Sequence, residues 1–265
     1  MAAVQPQRDS QRDLERDEQV SSHSAPTGRA MTAWTRQDPL PATFLVLTFA
    51  TGLVDAVSYV GLGHIFTANM TGNVVFLGFA LAGTPGLSIP GSLAALAAFV
   101  AGAALAGRLG RVLTASSRRH WLLRIAVLEG ALLLAAAASA WGVDPIAPPP
   151  ERLYAIIVLT GLAMGVRNAT VRQVSVPDLT TTVLTLTIAG LAADSFLAGG
   201  SNPRWFRRLA AVVAMLVGAA LGVLLLRYGL ALPLCVAALA VVGSTLAYSA
   251  HPASLQPAHA PAGAA

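Results

Sequence analysis

From position 41 onward, apolar residues gather into long runs separated by short polar breaks, and the runs recur about every 25 residues. Their limits are 41–62, 65–83, 91–113, 121–141, 152–172, 179–198, 207–227 and 230–250. A helix needs about 20 largely apolar residues to cross the hydrocarbon core of a bilayer, and most of the runs reach that length. Those at 121–141 and 207–227 are the clearest. Those at 65–83 and 152–172 carry more polar groups and read as broken or re-entrant candidates. Irregular backbone is not tolerated against lipid, so the pattern predicts an all-α polytopic transmembrane helical bundle of six to eight membrane segments. The alternating ten-residue strands of a membrane barrel are absent from the pattern.

The runs also fall into two halves. Shifting residues 51–80 by 109 positions aligns them without a gap to 160–189 and matches Thr51/Thr160, Gly52/Gly161, Leu53/Leu162, Val57/Val166, Thr71/Thr180, Val74/Val183, Leu77/Leu186 and Ala80/Ala189. A second block, Leu93–Leu105, matches Leu209–Leu221 at an offset of 116 with eight identities in thirteen positions. Ala/Leu bias inflates the second score, but the two blocks occur in the same order in both halves. The expectation is a duplicated four-segment unit, repeat one over about 41–141 and repeat two over about 152–250. Many transporters build a site near the bilayer midplane from such repeats. Parallel and inverted arrangements both remain open.

The stretch TGLVDAVSYVGLGHIFTANMTGN at 51–73 resembles the YoaK-like family of bacterial polytopic membrane proteins, in its VDAxSY-type stretch and its NMTGN-type element. The second-half stretch GLAMGVRNATVRQVSVPDLTTTVLT at 161–185 is similar to that family's other recognisable region. The resemblance covers about 41–250. It implies a helical membrane fold and supplies no activity, because the family is uncharacterised.

Composition agrees. The chain has 265 residues, 55% apolar and 11% charged, with a mean hydropathy of +0.66. Soluble domains carry about 25% charged residues, which argues against a soluble enzyme. All 17 basic residues are Arg. Residues 1–40 hold five Arg and six acids, leaving twelve Arg against six acids beyond them, so the positive balance belongs to the hydrophobic part. The N-terminal tail cannot bury enough apolar surface to offset its ordering entropy and is expected to be disordered. Residues 251–265, rich in Pro and Ala, are expected to be likewise. Cys235 is alone, which leaves no intrachain disulfide or CxxC site. No Walker loop, HExxH or GxSxG occurs and the five His are scattered. No enzyme, metal or cofactor is therefore expected. The Arg residues flank spans without interleaved surface aromatics, which excludes a nucleic-acid partner and leaves the lipid bilayer as the partner they meet.

Orientation is less tidy. Positive-inside reasoning wants Arg108, Arg111, Arg118, Arg119 and Arg124 in the cytoplasm, and also Arg204, Arg207 and Arg208. Eight full spans would put the two clusters on opposite faces. If the second and sixth segments re-entered, six spans would place both clusters and both termini inside; the other explanation is that one loop breaks the rule. The mixed-charge tail also favours a cytoplasmic N-terminus, in the bacterial inner membrane.

Charges inside a bilayer are expensive and usually face the protein interior or water. Asp55 lies deep in the first segment, and Arg167 and Asn168 at a matching depth in the fifth, so an Asp55–Arg167 pair is expected, either holding the halves in register or handling solute. Glu129 and Asp194 are expected to pair with Arg124 or a helix end. Asn69, Thr71, Gly72 and Asn73 cluster amides and a hydroxyl beside a glycine, and their second-half counterparts are Asp178, Thr180, Thr181 and Thr182 after Pro177. Pro177 bars a regular helix. These elements are either capped hairpins or the paired helix breaks of a transport site. His64, in the same connector, is a loop residue or a proton relay. A transporter or channel for a small polar or anionic solute would draw its lining from Asp55, His64, Asn69, Thr71, Asn73, Arg167, Asn168, Asp178 and Thr180. The other reading is a non-transporting scaffold that binds a partner or lipid. Gly218 and Gly222, with Ala98, Gly102 and Ala106, have the spacing of close helix packing. They serve the bundle interior by default, or a homo-oligomer.

Overall fold

A computed structural model describes residues 38–112, 117–143, 148–174, 184–202 and 204–255. Most of both tails, and the stretch 175–183 with Asp178, Thr180, Thr181 and Thr182, lie outside the described residues. The described part is a polytopic helical bundle. Its helices are α1 (Leu40–Ala56), α2 (Met70–Leu81), α3 (Ile89–Val112), α4 (Arg118–Ala140), α5 (Pro150–Val174), α6 (Leu184–Ala193), α7 (Trp205–Leu226) and α8 (Ala231–Ser249). A π-helical turn, Val57–Gly61, prolongs α1, and a 3₁₀ turn, Pro252–Leu255, follows α8.

Six of these are long and apolar enough to cross a membrane: α1 with its π turn, α3, α4, α5, α7 and α8, at 19 to 25 residues each. At about 1.5 Å per residue they match a hydrocarbon core about 30 Å thick. The second and sixth apolar runs become the short helices α2 and α6, of 12 and 10 residues. The fifth run, despite its polar groups, is an unbroken span. Its hydroxyls explain why: Thr160 and Thr170 donate to the carbonyls of Ile156 and Val166 one turn back, at 2.6 and 2.8 Å. Thr48 and Thr51 do the same within α1. A donor satisfied inside its own helix needs no water.

The most extensive contacts pair α3 with α5 and α1 with α7, followed by α4 with α8, α4 with α5 and α8 with α1. Small residues bring the backbones together. A Cβ added at Gly218 would overlap the Phe49 carbonyl, and one at Gly222 would meet Leu53 and Ala56. A Cβ added at Gly102 would overlap Leu162, and one at Gly165 the Phe99 carbonyl. The small-residue spacing therefore serves the inside of the bundle. These registers also fix direction. Phe49 lies by Gly218 and Leu53 by Gly222, so α1 and α7 run parallel; Ala98 lies by Gly161 and Gly110 by Gln173, so α3 and α5 run parallel.

Gly91, at the start of α3, packs against Ile65, just past the end of α1. The segment from the end of α1 through α2 to α3 therefore leaves and returns at one face of the bundle. Arg208, at the start of α7, donates to Gly190 O at 2.7 Å in the last turn of α6 and to Asp194 Oδ2 at 2.6 Å. A cation suits a helix C-terminus, and it ties α6 to α7 at the opposite face.

Gly218→Leu is expected to force α1 and α7 apart, because the obstacle is a backbone carbonyl. Overpacking costs typically about 1–3 kcal/mol, so thermal unfolding in detergent should show a clearly lowered midpoint. Gly107→Leu, at a position in α3 with open space around it, should leave the midpoint unchanged.

Candidate functional site

The site is built around a guanidinium. Arg167 is 1% exposed, two-thirds of the way along α5, and a guanidinium has five N–H donors and no acceptor. Its Nε donates to Glu129 Oε1 at 2.6 Å, and Nη2 forms an ion pair with the same oxygen. Nη1 donates to Leu47 O at 2.9 Å and to Thr51 Oγ1 at 2.8 Å. Glu129, from α4, is also buried. One side chain thus joins α1, α4 and α5. The expected Asp55–Arg167 pair does not form, and Glu129 pairs with neither Arg124 nor a helix end. The adjacent spans α4 and α5 set Glu129 opposite Arg167, while on α1 the arginine reaches Leu47 and Thr51, a turn short of Asp55. Asp194 pairs with Arg208.

Asp55 is buried near the far end of α1, where the helix passes into its π turn. Its carboxylate accepts a hydrogen bond from the Ala68 N–H and lies within electrostatic reach of Arg167. The oxygen Oδ1 has no hydrogen-bond partner. Thr67, next to Ala68, is fully buried, and its hydroxyl also lacks a partner. The Ser58 hydroxyl is turned to the main-chain oxygen of Asp55, at 3.2 Å. π turns recur at functional sites because they break the regular hydrogen-bond ladder.

The NMTGN element is a structural clamp over this end of α1. Asn69 caps α2, accepting from Gly72 N at 3.4 Å. A Cβ at Gly72 would strike the Phe66 ring. Asn73 is fully buried and closes a two-way hydrogen bond on Phe66: its Oδ1 accepts from Phe66 N at 2.8 Å and its Nδ2 donates to Phe66 O. Tyr59, Phe66 and Phe76 stack across the same corner, with Tyr59 and Phe66 4.9 Å apart. The capped-hairpin reading therefore accounts for Asn69, Gly72 and Asn73, and Thr71 is exposed. His64 is a loop residue: it has φ 63°, its N–H donates to Tyr59 O, and its ring lies edge-on to Tyr59. Asn168 bonds back to Met164 O at 2.9 Å within α5.

On the other side of the Arg167–Glu129 pair lies a cavity of about 20 Å³, lined among others by Phe44, Leu122, Thr170 and Thr245. That is room for about one water. Buried polar groups thus succeed one another from this cavity through Glu129, Arg167 and Thr51 to Asp55 and the Thr67–Ala68 loop. Glu129 and Thr51 are what sequence reasoning missed as partners. Glu129 stood out as an intramembrane acid, but 38 residues separate it from Arg167.

Six apolar spans, two short helices and a charged cluster sealed among them define a multi-pass membrane protein. The chain belongs to the DUF1275 family of proteins of unknown function, which it matches over residues 43–247. It is 31% identical over 153 residues to the UPF0700 transmembrane protein YoaK of Bacillus subtilis (strain 168), an overlap covering 56% of this chain and 64% of that protein. The chain thus spans just under two thirds of that relative's length. No solved structure matches.

Arg167→Met leaves Glu129 buried without its partner. Removing one member of a buried pair costs about 3–5 kcal/mol, whereas replacing both with apolar residues is often neutral. The single variant should therefore unfold at a much lower temperature than the parent, and Arg167→Met/Glu129→Leu should recover most of the loss in the same detergent assay.

Proposed function

We propose that this protein is a transporter for a small polar or anionic solute, not an enzyme. In this reading it is built as an inverted repeat in the bacterial inner membrane, with its N-terminus in the cytoplasm. The observation that carries the reading is the track of buried charged and polar groups from Glu129 through Arg167 and Thr51 to Asp55, inside a bundle that also carries a short helix in each half. Short helices in corresponding positions of two halves mark the binding region of many transporters.

The packing supports the repeat. With α1 matched to α5, α2 to α6, α3 to α7 and α4 to α8, the contact α1–α7 becomes α5–α3, and α1–α8 becomes α5–α4. The contact α2–α3 becomes α6–α7, and α4–α8 maps on itself. Gly52 corresponds to Gly161 and Gly102 to Gly218, and all four sit in close backbone contacts. Since α1 and α3 run in opposite directions while α3 and α5 are parallel, matched helices point opposite ways. That is the signature of inversion. Six crossings then bring Arg108, Arg111, Arg118, Arg119, Arg204, Arg207 and Arg208 to one side, which positive-inside reasoning makes cytoplasmic.

A non-transporting scaffold is the second reading, favoured by the smallness of the cavity beside Arg167, about 20 Å³. Flux decides between them. In proteoliposomes challenged with a radiolabelled panel of amino acids, sugars and inorganic anions, one class should move, and Asp55→Asn should reduce its uptake to background while keeping the parent's gel-filtration profile. Absence of flux for the whole panel would favour the scaffold. Topology has its own check. In a Cys235→Ala background, Thr84→Cys should react with a membrane-impermeant maleimide in intact cells, and Ser117→Cys and Ser201→Cys only after permeabilisation. Labelling of Ser117→Cys and Ser201→Cys from opposite sides would restore eight spans.

A further inference from the structure

We propose that the Asp55 carboxylate and the Thr67 hydroxyl form a binding site for a singly charged cation, Na⁺. This rests on the transport reading in that it supplies the ion to which solute movement is coupled.

Charge bookkeeping leads to it. Within the apolar layer, Arg167 is matched by Glu129 in direct contact. That pair is neutral as a unit, so among the described residues the Asp55 carboxylate has no cation in direct contact. An ionised group in such surroundings costs several kcal/mol, and a single N–H from Ala68 does not neutralise it. One positive charge does. A divalent ion would overshoot a single carboxylate.

The ligands have the chemistry of a hard cation site, in which every donor is oxygen. Asp55 Oδ1 and Thr67 Oγ1 are both buried and both without a hydrogen-bond partner. The Ala68 N–H that binds the carboxylate belongs to the peptide linking Ala68 to Thr67, so the carboxylate is held at the residue next to Thr67. The π turn Val57–Gly61 begins two residues after Asp55, and such turns recur at functional sites. The roof of the site is the 62–69 loop, pinned by the Asn73 clamp, with Gly63, His64 and Asn69 exposed on it. An ion would enter from that face, opposite the arginine-rich one.

The test is ion-dependent stability of the full chain purified in detergent, at fixed pH, titrating NaCl against choline chloride at matched ionic strength. A ligand that binds the folded state raises the unfolding midpoint with its concentration. The parent should therefore gain a few degrees in Na⁺ over choline, Asp55→Asn should show no response, and Thr67→Val should need about tenfold more Na⁺ for the same gain. Coincident Na⁺ and choline curves in the parent would overturn the site, as would a response retained by Asp55→Asn. A parent indifferent to Na⁺ but stabilised by acid only while Asp55 is present would also overturn it, giving the carboxylate to a proton. Binding is read here without flux. Na⁺ stabilisation in a protein that moves no solute would support the site and overturn transport, and Na⁺-indifferent flux would do the reverse.

Discussion

Inside hydrocarbon no water accepts a stray hydrogen bond, so the five donors of one guanidinium govern much of this bundle. Arg167 finds its acceptors on two other helices: the carboxylate of Glu129, the carbonyl of Leu47 and the hydroxyl of Thr51. The Leu47 carbonyl is also the acceptor of the Thr51 hydroxyl, at 3.0 Å. The arginine therefore reads the backbone of α1 at one turn only. Sliding α1 along α5 by a turn would strand its donors, so the charge fixes the register of helices whose apolar surfaces specify it poorly.

Close backbone approach supplies the attraction that apolar side chains do not provide in lipid, where leucine is no better solvated by protein than by acyl chains. Gly218 and Gly222 let α7 lie on α1, and Gly102, Gly161 and Gly165 let α3 lie on α5. Each of these contacts joins the first half of the chain to the second. Neither half has a complete interior without the other, which is why charge and glycine together make one bundle rather than two hairpins.

The helical class and the membrane were legible because hydropathy at span length is a strong, local signal. Of the two runs that read as broken or re-entrant candidates, 65–83 became a short helix and 152–172 an unbroken span, while 179–198 also holds only a short helix. The six-span option matches the six long helices among the described residues. The NMTGN element was legible as polar, but its work was not. Asn73 grips Phe66, seven residues earlier, and nothing in the spacing separates a buried clamp from a solute ligand. The partner of Arg167 was illegible for a different reason. Asp55, Glu129 and Asp194 were all intramembrane acids, and only the side-by-side packing of α4 and α5 selects among them.

Under the inverted-repeat reading, the two halves differ where chemistry would be expected. The positions that pack are kept: Thr51 and Thr160 both bond back within their helices, and Gly52 and Gly161 both face a neighbouring backbone. The charged positions are not. By the same offset Asp55 corresponds to Met164 and Arg167 to Ser58, so one half carries the acid and the other the base. A purely structural pair could have been neutral in both halves at no loss of packing, and burial alone would favour that. Instead Arg167 takes its counter-charge from Glu129, and Asp55 keeps an oxygen that no protein group fills. The fold satisfies Thr48, Thr51, Thr160 and Thr170 within their own helices, whereas Asp55 Oδ1 and Thr67 Oγ1, close to the π turn, are among the buried oxygens left without a hydrogen-bond partner.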